Sequence, residues 1–181
     1  MIVDGGPTKV GLESTIIDVT GETPILLRPG AITREMIEEV IGHIDVDPAV
    51  FSKPNKDIVP KAPGMKYTHY SPKASVILVK GNIENVIDEI NRRAKDNEEN
   101  GIKVGIMATL QTKDRYIHGT VLSVGDRENI ETIGSNLFKM LRKFDFLGVD
   151  VVYSEVFDDI GEGAAIMNRL NKAAGYNYIN V

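Results

Sequence analysis

The stretch Pro63-Gly64-Met65-Lys66-Tyr67-Thr68-His69-Tyr70-Ser71-Pro72 sets two tyrosines, a histidine and a lysine between prolines. From Ser52 to Lys73 there are five lysines (Lys53, Lys56, Lys61, Lys66, Lys73) against one acid, Asp57. The chain as a whole carries a formal net charge of −5. A local positive run on an acidic protein is a candidate anion site, and aromatic rings beside a lysine suit a ligand that joins a flat base to phosphates. The same composition also describes an ordinary linker whose tyrosines pin it to a neighbouring surface.

Two further residues could do chemistry. Ser14 follows Gly11-Leu12-Glu13 at the start of a β-branched run, where its hydroxyl could hold the carboxylate or amine of a small ligand or simply satisfy a turn. Arg28 closes an apolar run just before Pro29-Gly30. Its planar fork can grip a phosphate or carboxylate through two parallel bonds, or form a surface ion pair. Gly161-Glu162-Gly163 precedes a helix pattern but lacks the third glycine of a dinucleotide fingerprint. Asp158 and Asp159 next to it read as helix-capping or solvated acids rather than as a metal site.

Several classes are excluded. The chain has no cysteine and three scattered histidines (His43, His69, His118), which rules out disulfides and thiolate chemistry and makes a protein-held metal site an unattractive reading. No Gly-x-Ser-x-Gly elbow, Walker loop or zinc spacing occurs. We therefore assign no catalytic nucleophile and no metal ligand. No apolar run reaches membrane-spanning length, so the expected setting is cytoplasmic and away from membranes.

The elements that must position these residues fall into three parts. Residues 1–50 read as strand (14–19), turn (20–23), strand (24–28) and a helix capped by Thr33 and ended by Gly42, with Met36, Ile37, Val40 and Ile41 on one face. Two strands and one helix bury too little to fold securely alone, so this part is expected to be the end of a larger domain. Residues 51–73 are the linker. Residues 74–181 alternate strand and helix: strands at 74–79, 104–108, 120–124 and 149–156, helices after Asn82, around Ile130–Phe144, and from Gly163 to Ala174. That alternation predicts an α/β domain with an open, largely parallel sheet and helices on both faces.

These motifs resemble a known family. Lys9-Val10-Gly11-Leu12-Glu13-Ser14-Thr15-Ile16-Ile17-Asp18 and Leu27-Arg28-Pro29-Gly30-Ala31-Ile32 resemble the final portion of the YrdC domain. The 63–72 stretch is similar to the linker of the two-domain form, and Gly163-Ala164-Ala165-Ile166-Met167-Asn168-Arg169-Leu170 to the end of its C-terminal domain. The family is L-threonylcarbamoyladenylate synthase, a nucleotidyltransferase. The resemblance implies an enzyme that makes threonylcarbamoyl-AMP from L-threonine, bicarbonate and ATP, for N6-threonylcarbamoyladenosine in tRNA, with downstream tRNA-modification proteins as partners. It implies Ser14 as a threonine contact and Arg28, Tyr70, Tyr67, Lys66 and His69 as ATP contacts, with Mg2+ carried by the nucleotide. Between Tyr67 and Tyr70, Tyr70 is the better match to the tyrosine that reaches over the nucleotide. The family's longer N-terminal stretch, with its phosphate-binding cluster, lies outside this sequence, so the chain alone is expected to be inactive. The alternative is a non-catalytic fragment or a module that binds RNA or a partner; direct RNA binding is left open.

Overall fold

The computed structural model describes residues 1–6, 8–53 and 71–181. Among them the strands form two sheets. The smaller contains β1 (Ile16–Asp18), β2 (Ile25–Arg28) and β3 (Asp45–Val46), with β1 antiparallel and β3 parallel to β2. The helix between β2 and β3, α1 (Arg34–Ile41), begins at Thr33, whose hydroxyl accepts a 3.3 Å hydrogen bond from the Met36 amide. It stops at Gly42, at φ 82°, a backbone region that glycine enters without steric cost. The apolar face expected on α1 is not buried: Met36, Val40 and Ile41 are 47%, 82% and 50% exposed. Periodicity places residues on one side of a helix but does not supply the surface that covers them.

The larger sheet contains β4 (Ser75–Lys80), β5 (Val104–Thr109), β6 (Thr120–Gly125), β7 (Val151–Glu155) and β8 (Tyr178–Asn180) in the order β6-β5-β7-β4-β8. Every pairing is parallel, so the expectation of an open parallel sheet holds. Because strand side chains alternate in direction, Val76 and Leu78 join one core and Val79 the other. On the Val79 side lies α2 (Ile83–Glu99), capped by the Asn82 side chain and buried through Val86, Ile87, Ile90 and Ala94. On the opposite side lie α3 (Ile130–Leu147) and α4 (Glu162–Ala173), which bring Leu137, Leu141, Phe144, Ile166 and Leu170 against the sheet. Full burial of each such aliphatic side chain is worth about 1.5–3 kcal/mol, so this double core dominates the stability of the larger unit.

The two sheets are joined through α4. Ile166 and Leu170 face the large core, while Asn168 and Arg169, 2% and 5% exposed, bond to the N-terminal part. Asn168 Nδ2 donates to the Val50 carbonyl. Small residues Gly163, Ala165 and Ala173 on the same helix are buried as well, which lets backbone approach from both sides. A second seam runs along α3, where Leu12 packs near Gly134 and the Ser135 hydroxyl donates to the Lys9 carbonyl.

Candidate functional site

The β1–β2 pairing sets Ile16 opposite Arg28, which carries the arginine back to the residues just before β1. Arg28 Nε donates to the Ser14 carbonyl at 2.9 Å, and Arg28 Nη2 to Ser14 Oγ at 3.3 Å. The two residues singled out in the N-terminal sequence are therefore direct neighbours, with Ser14 exposed and Arg28 half-buried. Beside them runs an open, mainly apolar groove of about 580 Å³, lined by Leu12, Ser14, Thr15, Ile17, Ile32 and Ile37, a size in the ordinary range for small-molecule sites.

The loop carrying Ser14 is tied down on both sides. Thr15 Oγ1 donates to the Ile32 carbonyl at 2.6 Å. Gly30 lies so close that a Cβ there would stand 2.4 Å from the Thr15 amide nitrogen; only glycine permits that approach. From the other side comes Arg169. Its Nε is 2.7 Å from Glu13 Oε2, its Nη1 is 2.6 Å from the Pro29 carbonyl, and its Nη2 is 3.2 Å from the Glu13 carbonyl. One guanidinium thus ties the Glu13-Ser14-Thr15 segment to the Pro29-Gly30 turn that follows Arg28, using the fork geometry a lysine lacks.

Electrostatics follow from this packing. Burial pushes the Glu13 carboxyl up, but the hydrogen bond and charge of Arg169, with a smaller share from Arg28, outweigh it and hold the group below the usual carboxylate range. Lys172, one helical turn beyond Asn168, is 9% exposed. Burial first, and then the charges of Arg169 and Arg28, bring its ammonium down to about 8. Among the described residues the corner is thus positive, with Arg28, Arg169 and Lys172 grouped around the Glu13 carboxylate, and suits an anionic ligand.

The sequence reading located Ser14 and Arg28 but gave no role to Arg169, Asn168 or Lys172. A usable signal was present: with Asn171, these residues make four polar side chains in a helix that is otherwise small or apolar between Gly163 and Ala174. Lys66, Tyr67, His69 and Tyr70 lie outside the described residues. Among the described residues no group of three or more histidine, cysteine or acidic side chains could hold a metal ion.

A family model described as the C-terminal domain of threonylcarbamoyl-AMP synthase matches residues 32–175. A threonylcarbamoyl-AMP synthase of Pyrococcus abyssi is 46% identical over 180 residues, covering 99% of this chain and 51% of the relative. One of Bacillus subtilis is 44% identical over 174 residues, covering 96% of this chain and 48% of the relative. The crystal structure of P. abyssi Sua5 complexed with L-threonine superimposes with a TM-score of 0.87 at 45% identity, over 98% of this chain and 50% of that one. This chain spans about half the length of the curated relatives it matches.

Proposed function

The chain belongs to the threonylcarbamoyl-AMP synthase family, and from that membership we propose that it supplies part of the site at which threonylcarbamoyl-AMP is made from L-threonine, bicarbonate and ATP. The observation that carries the reading is the direct contact between Ser14 and Arg28, in a fold that matches a relative crystallised with L-threonine. In this reading Ser14 contacts threonine and Arg28 binds ATP. Lys66, Tyr67, His69 and Tyr70 are proposed as further nucleotide contacts.

The chemistry needs no protein nucleophile. The threonine amine and bicarbonate combine to a carbamate with loss of water. A carbamate oxygen then attacks the α-phosphorus of ATP, a new P–O bond forms, and the bond to the β-phosphate bridge breaks to release pyrophosphate. The task left to the protein is to align the attacking oxygen and to offset negative charge as it moves toward the leaving group. A guanidinium preset by the Ser14 carbonyl loses little freedom on meeting a phosphate. Arg169 and Lys172 add positive potential behind it. The nearby carboxylate, Glu13, is committed to Arg169, so these residues do not fit a protein-held Mg2+; the ion would be held by the nucleotide's own phosphates.

We place the reaction in the cytoplasm, upstream of the proteins that transfer the threonylcarbamoyl group to tRNA. No helix of the described residues is long and apolar enough to cross a membrane. The test joins this chain to the N-terminal half of the P. abyssi relative and looks for threonylcarbamoyl-AMP by mass spectrometry. Product that requires threonine, bicarbonate and ATP, and that disappears without this chain, supports the reading. An assembled, folded protein that makes none contradicts it.

A further inference from the structure

A cavity distinct from the groove at Ser14 lies on the larger sheet. It measures about 670 Å³ and opens at the carboxyl ends of β4 and β7, between Lys80-Gly81 and Val156-Phe157-Asp158-Asp159. Its position follows from topology. Neighbouring strands β4 and β7 send their chains to opposite faces of the sheet, β4 to α2 and β7 to α4. In open parallel sheets such a divergence leaves a crevice, and ligands bind there.

One side chain that lines the crevice, Arg127, is held by a buried carboxylate. Glu155, the last residue of β7, is 1% exposed and accepts hydrogen bonds from the hydroxyls of Thr112 and Tyr116 and from Arg127. Arg127 also donates to the Val156 carbonyl at 3.1 Å and lies over the Phe157 ring at 5.1 Å. Gly163 lets the turn above it close, since a Cβ there would stand 2.0 Å from the Asp158 carbonyl.

Its wall is unfinished in a way that a ligand would complete. Tyr176 holds a left-handed backbone at φ 62°, uncommon for an aromatic residue, and its buried hydroxyl has no hydrogen-bond partner among the described residues. Phe51 and Tyr178 present further ring surface. Among the described residues the Asp158 and Asp159 carboxylates and the Lys80 ammonium make no hydrogen bond or ion pair, although all three line the cavity. Rings suit a flat base, and carboxylates suit the vicinal hydroxyls of a ribose, as at dinucleotide sites. Phosphate is disfavoured, because Asp158, Asp159 and the first-turn Glu162 of α4 gather negative charge at the helix end that would have to receive it.

We propose that this crevice is a second, separate site that binds a nucleoside, with its base among the aromatic rings and its ribose diol on Asp158 and Asp159. The free nucleoside is favoured over a nucleotide or a residue within RNA, because a ribose held on Asp158 and Asp159 would bring the attached phosphate to the acidic α4 end of the crevice, across from Lys80.

The experiment titrates the 15N-labelled full chain with adenosine, guanosine, cytidine and uridine and follows backbone amide shifts. At least one nucleoside should saturate at submillimolar concentration and shift residues 156–159 and 176–178. Its 2′-deoxy analogue should bind about tenfold more weakly, the value of roughly one hydrogen bond to a charged group. Asp158→Asn with Asp159→Asn, both exposed positions, should weaken binding by at least about tenfold. The matching nucleoside triphosphate and the matching homotrinucleotide should bind more weakly than the nucleoside. Arg28→Ala should leave the crevice titration unchanged, which separates this site from the one proposed above. The proposal is overturned if no nucleoside saturates, if the shifts fall at residues 13–15 and 28 instead, if the double Asn variant retains full affinity, or if the phosphorylated forms bind more tightly.

Discussion

Arg169 on α4 and Glu13 before β1 are 156 residues apart in sequence, yet Nε and Oε2 meet at 2.7 Å. The same guanidinium bonds the Pro29 carbonyl at 2.6 Å. The C-terminal unit thus fixes the two segments that flank Ser14 and Arg28, and the substrate corner proposed here depends on a helix from the other part of the chain.

Arg169→Ala should therefore be costly. It leaves Glu13 and the Pro29 carbonyl without their cation, and breaking a largely buried pair in this way costs about 3–5 kcal/mol. Arg169→Lys should fall between, because an ammonium keeps the charge and loses the fork. The double variant Arg169→Ala with Glu13→Ala should cost less than the sum of the two single changes, since neither charge is then left alone. Urea melts of these variants and of Glu13→Ala alone measure the effect; strict additivity would show that the pair does not interact.

Lys172 makes a pH prediction whose sign is opposite to that of an ordinary surface lysine. The folded group releases its proton near pH 8 and the unfolded group near its ordinary value of 10.5. Between those values the unfolded chain binds more protons, so this group makes stability rise with pH across that window. Below it, the full cost of a buried cation is present. Lys172→Met should be more stable than the parent at neutral pH, and the difference should vanish as pH passes from about 8 to 10.5. Thermal melts at several pH values measure the difference; a gap that is constant with pH contradicts it.

Glu155 should matter more for its charge and shape together than for either alone. Glu155→Ala removes the acceptor of Thr112, Tyr116 and Arg127 at once, and leaving such groups buried and unpaired costs about 1–3 kcal/mol each. Glu155→Gln keeps one acceptor oxygen and should lose roughly half as much. Equal denaturation midpoints for the two variants would contradict the network as drawn.

The sequence made the large unit legible because its signals are local. Asn82 before an i, i+3, i+4 apolar series announces α2, and a run such as Val76–Val79 announces a strand buried on both faces. The strands β3 (Asp45–Val46) and β8 (Tyr178–Asn180) were not legible: at 2 and 3 residues they are too short to show a period. The exposed apolar face of α1 was read correctly as a face, yet its burial depends on neighbours that periodicity cannot name. Of the site, Ser14 and Arg28 were marked by turn chemistry and by the family's motifs. Arg169 lay within a family motif and Lys172 just beyond it, yet neither was given a role, because their roles arise only from contacts that tie α4 to segments more than a hundred residues away.

The Ser14–Arg28 corner is proposed to handle substrate. That role is tested most directly by threonine-dependent pyrophosphate release from this chain joined to the N-terminal half of the P. abyssi relative, comparing Arg28, Arg28→Ala and Arg28→Lys at matched thermal stability. A charge-assisted hydrogen bond contributes about 1.5–3 kcal/mol, so Arg28→Ala should raise the KM for ATP or lower kcat/KM by about tenfold to a hundredfold. Arg28→Lys should remain impaired, because it lacks the planar fork. Parent-like kinetics in both folded variants would contradict the claim and reduce Arg28 to a brace for the Ser14 loop.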